Sequence, residues 1–222
     1  MGRRSKRSAA ADFGPAMAGA ALFILLCLLF FLGFEGGEAQ RLHLSVNQPW
    51  GILTSTYTHA GLDHLRNNML SLAGVSVFIF ITNRPAPPPV RRRICATFVY
   101  LLFLTGPIVG SVQYLLFSYY RRFEVSSCGA SDVVYAIISL FIVSSALNIP
   151  LFWKRSSKRR STRLLFLINM FLVFLLVSLL MQAPEVFFGV APGVDVFAHV
   201  GGFLTGLFLS IYMLLPAYRR YL

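Results

Sequence analysis

Six long stretches of this chain contain no Asp, Glu, Lys or Arg, and few folds accept such a pattern. They comprise 22 residues between Asp12 and Glu35, 17 between Arg66 and Arg84, and 27 between Arg93 and Arg121. A further 21 lie between Asp132 and Lys154, 21 between Arg163 and Glu185, and 23 between Asp195 and Arg219. The hydrocarbon core of a bilayer is spanned by about 17–25 apolar residues as a helix, so each stretch reads as a transmembrane helix. With 56% hydrophobic and only 13% charged residues in 222, the chain has too little charge for a soluble domain of its size. The first stretch has the alternative reading of a signal peptide, with Gly37–Ala39 as a passable cleavage site. It is longer than the usual secretory core of about 7–15 residues, and a span is the better reading. No repeat at a fixed period and no separate soluble domain is evident.

The sequence therefore predicts an all-α membrane protein with approximate spans at 13–34, 64–83, 94–117, 129–152, 163–182 and 195–216. A basic tail, 1–12, precedes the helical domain, 13–218, and a short end, 219–222, follows it. Net charge +12 invites a nucleic-acid reading, but the basic residues sit in short clusters between apolar runs. That distribution suits membrane topology better than the phosphate-binding face of a nucleic-acid-binding protein. With both termini in the cytosol, 16 of the 20 lysines and arginines lie on the cytosolic side, leaving only Arg41, Arg66, Arg121 and Arg122 outside. Cys27, Cys95 and Cys128 are odd in number and scattered, and indicate neither a disulfide framework nor a zinc site.

Orientation gives depth to the polar residues inside the spans. His64 and Asn68 lie four apart in the first turns of the second span, on one face. Ser131 opens the fourth, with Tyr135 one turn deeper, and His199 follows one turn after Asp195, which can cap the sixth. Three distant helices thus bring a serine, two histidines, an asparagine and a tyrosine to a similar depth near the outer leaflet. Acyl transfer needs such a set: a hydroxyl, an imidazole to take its proton, and donors for an oxyanion. Gly202 and Gly206 follow His199 on a small-xxx-small face that lets the sixth span approach the fourth, and Gly129 leaves room beside Ser131. The His59/His64 spacing does not put both rings on one helical face, and no metal site or cofactor is implied.

The segments "HAGLDHLRNN", "GASDVVYA" and "AHVGGFLTG" resemble, in order, the three signatures of the rhomboid intramembrane serine proteases. The resemblance covers nearly the whole chain as a minimal six-helix rhomboid bundle. It implies Ser131 as nucleophile and His199 as general base, a dyad needing no carboxylate. His64, Asn68 and the Ser131 N–H would form the oxyanion hole, Tyr135 would stack on His199, and His59 would be structural. Segment 35–63 would be the membrane-embedded first loop, while the fifth span and the cap 182–194 would gate access from lipid. The implied partners are transmembrane protein substrates and the bilayer itself, with no nucleic acid and no metal. The implied site faces the extracellular or lumenal side. Two positions depart from the family pattern: Asp132 replaces the glycine after the serine, and Gly51 replaces the arginine after Trp50. The competing reading is a rhomboid-like protein that binds transmembrane helices without cleaving them.

Overall fold

In hydrocarbon, every backbone N–H and C=O has to be bonded within the protein, and a helix does this within each segment. The apolar runs accordingly fold as helices in the computed structural model, which describes residues 9–34, 37–119, 126–156, 160–182 and 195–221. The helices are α1 Ala9–Gly33, α2 Gly37–Gln40, α3 Gly51–Thr54 and α4 Leu62–Asn83, then α5 Pro88–Tyr119, α6 Ser131–Ser156, α7 Arg160–Gln182 and α8 Val196–Tyr218. The described residues include no strands, only isolated bridges such as Leu44 to Ser127. The tail before residue 9, the loop bearing Arg121 and Arg122, and the expected gating segment 183–194 lie outside the described residues.

Five helices, α1, α4, α5, α6 and α8, are long and apolar enough to cross a bilayer. The sixth expected span falls on α7, whose described apolar stretch, Arg163–Leu175, is shorter. Several helices run past their uncharged stretches: α5 begins at Pro88 and carries Arg91, Arg92 and Arg93 in its opening turns. Helix α6 is central and packs against α4, α5, α7 and α8. Its Val133, Ala136, Ile137 and Leu140 are fully buried, whereas Leu22, Leu25 and Leu29 of peripheral α1 are exposed, as lipid-facing residues should be. Internal prolines in α1, α5, α6 and α8 are tolerated because neighbouring groups can take over backbone partners.

Several polar residues buried among these helices are partnered across them. Asn148 Nδ2 donates to Asn83 Oδ1 at 2.6 Å, Asn83 Nδ2 to Ser144 Oγ at 3.2 Å, and the Tyr218 hydroxyl to Asn148 Oδ1 at 2.8 Å. This network joins the end of α4, the second half of α6 and the end of α8, which defines one end of the bundle. At the start of α5, Arg91 donates through Nε and Nη2 to Asp12 Oδ2 of α1, at 2.9 and 2.5 Å. Its Nη1 reaches Ala86 O, in the α4–α5 turn, at 2.7 Å. Arg84 follows α4, Arg92 and Arg93 stand in the opening turns of α5, and Arg219 and Arg220 follow α8, so this end, opposite the start of α6, is basic.

Removing one partner from a buried ion pair strands the other charge, at a cost of about 3–5 kcal/mol. Asp12→Ala should therefore lower unfolding free energy by that order in denaturing-detergent titrations. The double variant Asp12→Leu/Arg91→Met should recover most of the loss.

Candidate active site

The four residues before α6 aim Ser131. Gly129 has φ +109°, a backbone conformation that side chains with a Cβ rarely adopt. Its N–H donates to Ser55 O at 2.9 Å, and the Ala130 N–H points at His59 Nε2 at 3.4 Å. One step earlier, Ser127 exchanges backbone hydrogen bonds with Leu44 at 2.9 and 3.0 Å. The serine-bearing loop is thus tied to the loop between α1 and α4 and to the segment just before α4. Ser131 is the first residue of α6 and only 9% exposed.

His64 and Asn68 pack over that loop from the first turns of α4. A Cβ at Gly129 would meet His64 Cε1 at 2.5 Å, His64 Nε2 at 2.7 Å and Asn68 Nδ2 at 3.4 Å. Two nitrogens therefore converge on the backbone two residues before Ser131. Asn68 is buried, and its Nδ2 has no hydrogen-bond partner among the described residues. His59 meets His64 edge-on, with ring centroids 5.2 Å apart.

Helix α8 supplies the opposite wall. Asp195 caps it, accepting from Ala198 N at 3.0 Å and from Gln113 Nε2 of α5 at 2.6 Å. One turn in, the His199 ring stacks on Tyr135 with centroids 4.4 Å apart and planes inclined by 21°. Gly202 lies directly on the Asp132 backbone and Gly206 on the Ala136 backbone, where any Cβ would collide. Tyr135 is one turn below Ser131, so His199 is presented to the face of α6 that Ser131 opens. Ser131, His199, His64, Asn68, Tyr135, Gly129, Gly202 and Gly206 thus gather at the end opposite the basic one. The ensemble brings together a hydroxyl, an imidazole with a fixed ring plane and convergent nitrogen donors. No set of three or more His, Cys, Asp or Glu among the described residues could hold a metal. Burial pushes the Cys128 thiol, three residues before Ser131, up to about 11, against formation of a competing thiolate nucleophile.

A Rhomboid domain family match extends over residues 46–216. The chain belongs to the rhomboid family. It is similar to RHOMBOID-like protein 2 of Arabidopsis thaliana, with 29% identity over 173 residues, 78% of this chain and 45% of that protein. RHOMBOID-like protein 4 from the same plant is 28% identical over 180 residues, 81% of this chain and 38% of that protein. Inactive RHOMBOID-like protein 8 is also 28% identical, over 77% of this chain and 40% of its own length. The chain thus spans less than half the length of each of these relatives. Family and helices together make this rhomboid an integral, multi-pass membrane protein.

Both departures from the family pattern have local structural partners. Asp132 is 5% exposed; its Oδ1 accepts from Val133 N at 2.7 Å and its Oδ2 lies 3.4 Å from Thr56 Oγ1. Thr56 in turn packs on Gly106 of α5. In the first loop, a Cβ at Gly51 would lie 2.5 Å from His43 O and 2.6 Å from Leu44 N, so an arginine has no room there. Trp50 is anchored through Nε1 to Arg41 O at 2.6 Å. Sequence reading missed Thr56, Gly106 and Gln113 as supports, because nothing local marks a threonine or glutamine as the partner of an acid 76 or 82 residues away.

Asp132→Gly should lower stability by about 1–2 kcal/mol through loss of the Val133 and Thr56 bonds, and Asp132→Asn by less; thermal unfolding of the two variants checks the order. The second test is of pH. Burial, then the neighbouring His64, lowers the His59 pKa from 6.5 to about 4. Between those values the unfolded chain binds the extra proton, so stability rises with pH through the window and is lost as pH falls through it. The wild-type melting temperature should drop between pH 6.5 and 4, and His59→Gln should flatten that drop while lowering stability above pH 6.5.

Proposed function

We propose that this rhomboid is an intramembrane serine protease that cuts single-pass transmembrane proteins near the outer leaflet. The observation that carries the reading is the flanking of Ser131 by two sets of groups: His64 and Asn68 over the Gly129 backbone, and His199 stacked on Tyr135. In this mechanism His199 takes the Ser131 proton as Oγ attacks the peptide carbonyl, then gives it to the leaving amine. His64, Asn68 and the Ser131 N–H bond the developing oxyanion. Water, activated by His199, then hydrolyses the acyl-enzyme. Tyr135 holds the imidazole plane, and the glycine contacts of α8 hold its distance from α6. Asp132, directed to Thr56 and Val133, stabilises the start of α6 and takes no part in orienting His199. The arginine-rich end faces the cytosol with both termini, six spans cross the bilayer, and Ser131 faces outside or a lumen. Substrate helices arrive from lipid past α7 and the segment 183–194.

The second reading, a rhomboid-like protein that binds transmembrane helices without cutting them, is favoured by the similarity to a relative named as inactive. Cleavage of a model single-pass substrate by purified protein separates the two. Ser131→Ala and His199→Ala should each abolish cleavage in proteins that still insert and fold, and a fluorophosphonate should label Ser131. A folded wild-type protein inert to both substrate and reagent favours the non-cleaving reading. Asn68→Ala should lower kcat by roughly 10–10³-fold with little change in KM, since one preorganised donor is lost and others remain. Asp132→Asn should keep near-wild-type turnover; a hundredfold fall would assign it a place in the catalytic machinery.

A further inference from the structure

A cavity lies away from Ser131, at the basic end, between the opening turns of α1 and α5. Its volume is about 400 Å³, within the usual range of about 300–1,000 Å³ for small-molecule sites. Ala11 and Pro15 line the α1 side; Arg92, Ala96, Val99 and Tyr100 line the α5 side. The α5 residues recur at helical spacing over two turns, so they form one stripe running inward from Arg92. Below it the stripe continues through exposed Leu104, at 47%, which faces lipid. Asp12 also borders the cavity, but Arg91 neutralises it through two nitrogens. Arg92 is exposed and makes no ion pair among the described residues, and Arg93 beside it is exposed as well.

The mouth therefore carries net positive charge at the end of the apolar helices, and the walls below are apolar. We propose that this groove binds an anionic phospholipid, with its phosphate on Arg92 and one acyl chain lying between Pro15 of α1 and Ala96 and Val99 of α5. A small free anion leaves the apolar walls bare. A zwitterionic lipid fills them, but its ammonium group offsets the attraction to Arg92. Clustered arginines beside a transmembrane groove are the expected chemistry for acidic headgroups. A lipid seated there bridges α1 to α5 next to the Asp12–Arg91 pair. The proposal stands apart from the proteolytic reading, because no residue of the groove belongs to the Ser131 site.

The test is native mass spectrometry of the delipidated full chain, offered equimolar phosphatidylglycerol and phosphatidylcholine. The wild type should retain one phosphatidylglycerol with a preference of roughly fivefold or more, the size expected for one arginine at a membrane surface. Arg92→Gln should bring the preference close to one, and Ala96→Phe should expel the lipid by filling the groove. Arg220→Gln, which removes a charge at the same end but outside the groove, should change neither. Arg92 is exposed, so its replacement does not threaten folding. Equal retention of the two lipids by the wild type overturns the proposal, as does undiminished phosphatidylglycerol retention in either groove variant. Retention of glycerol phosphate as tight as that of the lipid would reduce the site to a simple anion site and overturn it too.

Discussion

The approach of α8 to α6 is set by two glycines, and the geometry around Ser131 depends on it. In a bilayer, helices gain little from hydrophobic association, because the lipid is as apolar as their side chains. Contact must come from packing and interhelical hydrogen bonds instead. Gly202 and Gly206 bring backbone onto backbone at Asp132 and Ala136, and Ser139 Oγ adds a bond to Phe203 O at 2.7 Å. His199 is three residues from Gly202, so its height and rotation follow from that contact. The Tyr135 stack then fixes the plane of a ring that has already been delivered to the right place.

Much of this was legible in sequence because the bilayer permits so few solutions. Uncharged runs had to be helices, Asp195 stood where a cap belongs, and the glycine spacing after His199 marked a close-packing face. What escaped were the pairings. Asp12 looked like the last polar residue before the first span, yet it is buried 79 residues from its partner Arg91. That pairing also explains why α5 starts earlier than its uncharged run: Arg91 is neutralised, and Arg92 and Arg93 can extend to the headgroups along their stems. Asn83 and Asn148 carry no local signal inside their apolar runs. Only the fold shows that they meet.

The departures from the family pattern follow the same logic. Read alone, Asp132 is an acid placed next to a nucleophile, and Gly51 is a lost anchor. In three dimensions the carboxyl turns away to Thr56, while Gly51 is required because the loop folds back on its own backbone. A motif reports the positions in contact with a reaction, but not the packing that decides which residue fits beside it. His59 shows the complementary case: burial keeps it neutral, so its ring can accept from the Ala130 N–H and hold the loop that presents Ser131.

The buried polar residues of α6 also constrain the order in which the fold can close. Ser139, Ser144, Ser145 and Asn148 are all fully buried, and all belong to α6. Asn83 on α4 precedes them in the chain, but Asn169 of α7, Phe203 and Tyr218 of α8 come later, and Asn169 Nδ2 bonds Ser145 O at 3.1 Å. During synthesis α6 therefore emerges before half of its partners exist. Ser139 Oγ and Ser144 Oγ also bond Tyr135 O and Phe141 O within α6 itself, but released alone into lipid the helix would leave the Asn148 amide without Asn83 and Tyr218. That amide is therefore fully paired only once both α4 and α8 lie beside α6. Pairing across α6 is thus complete only when α8 is in place.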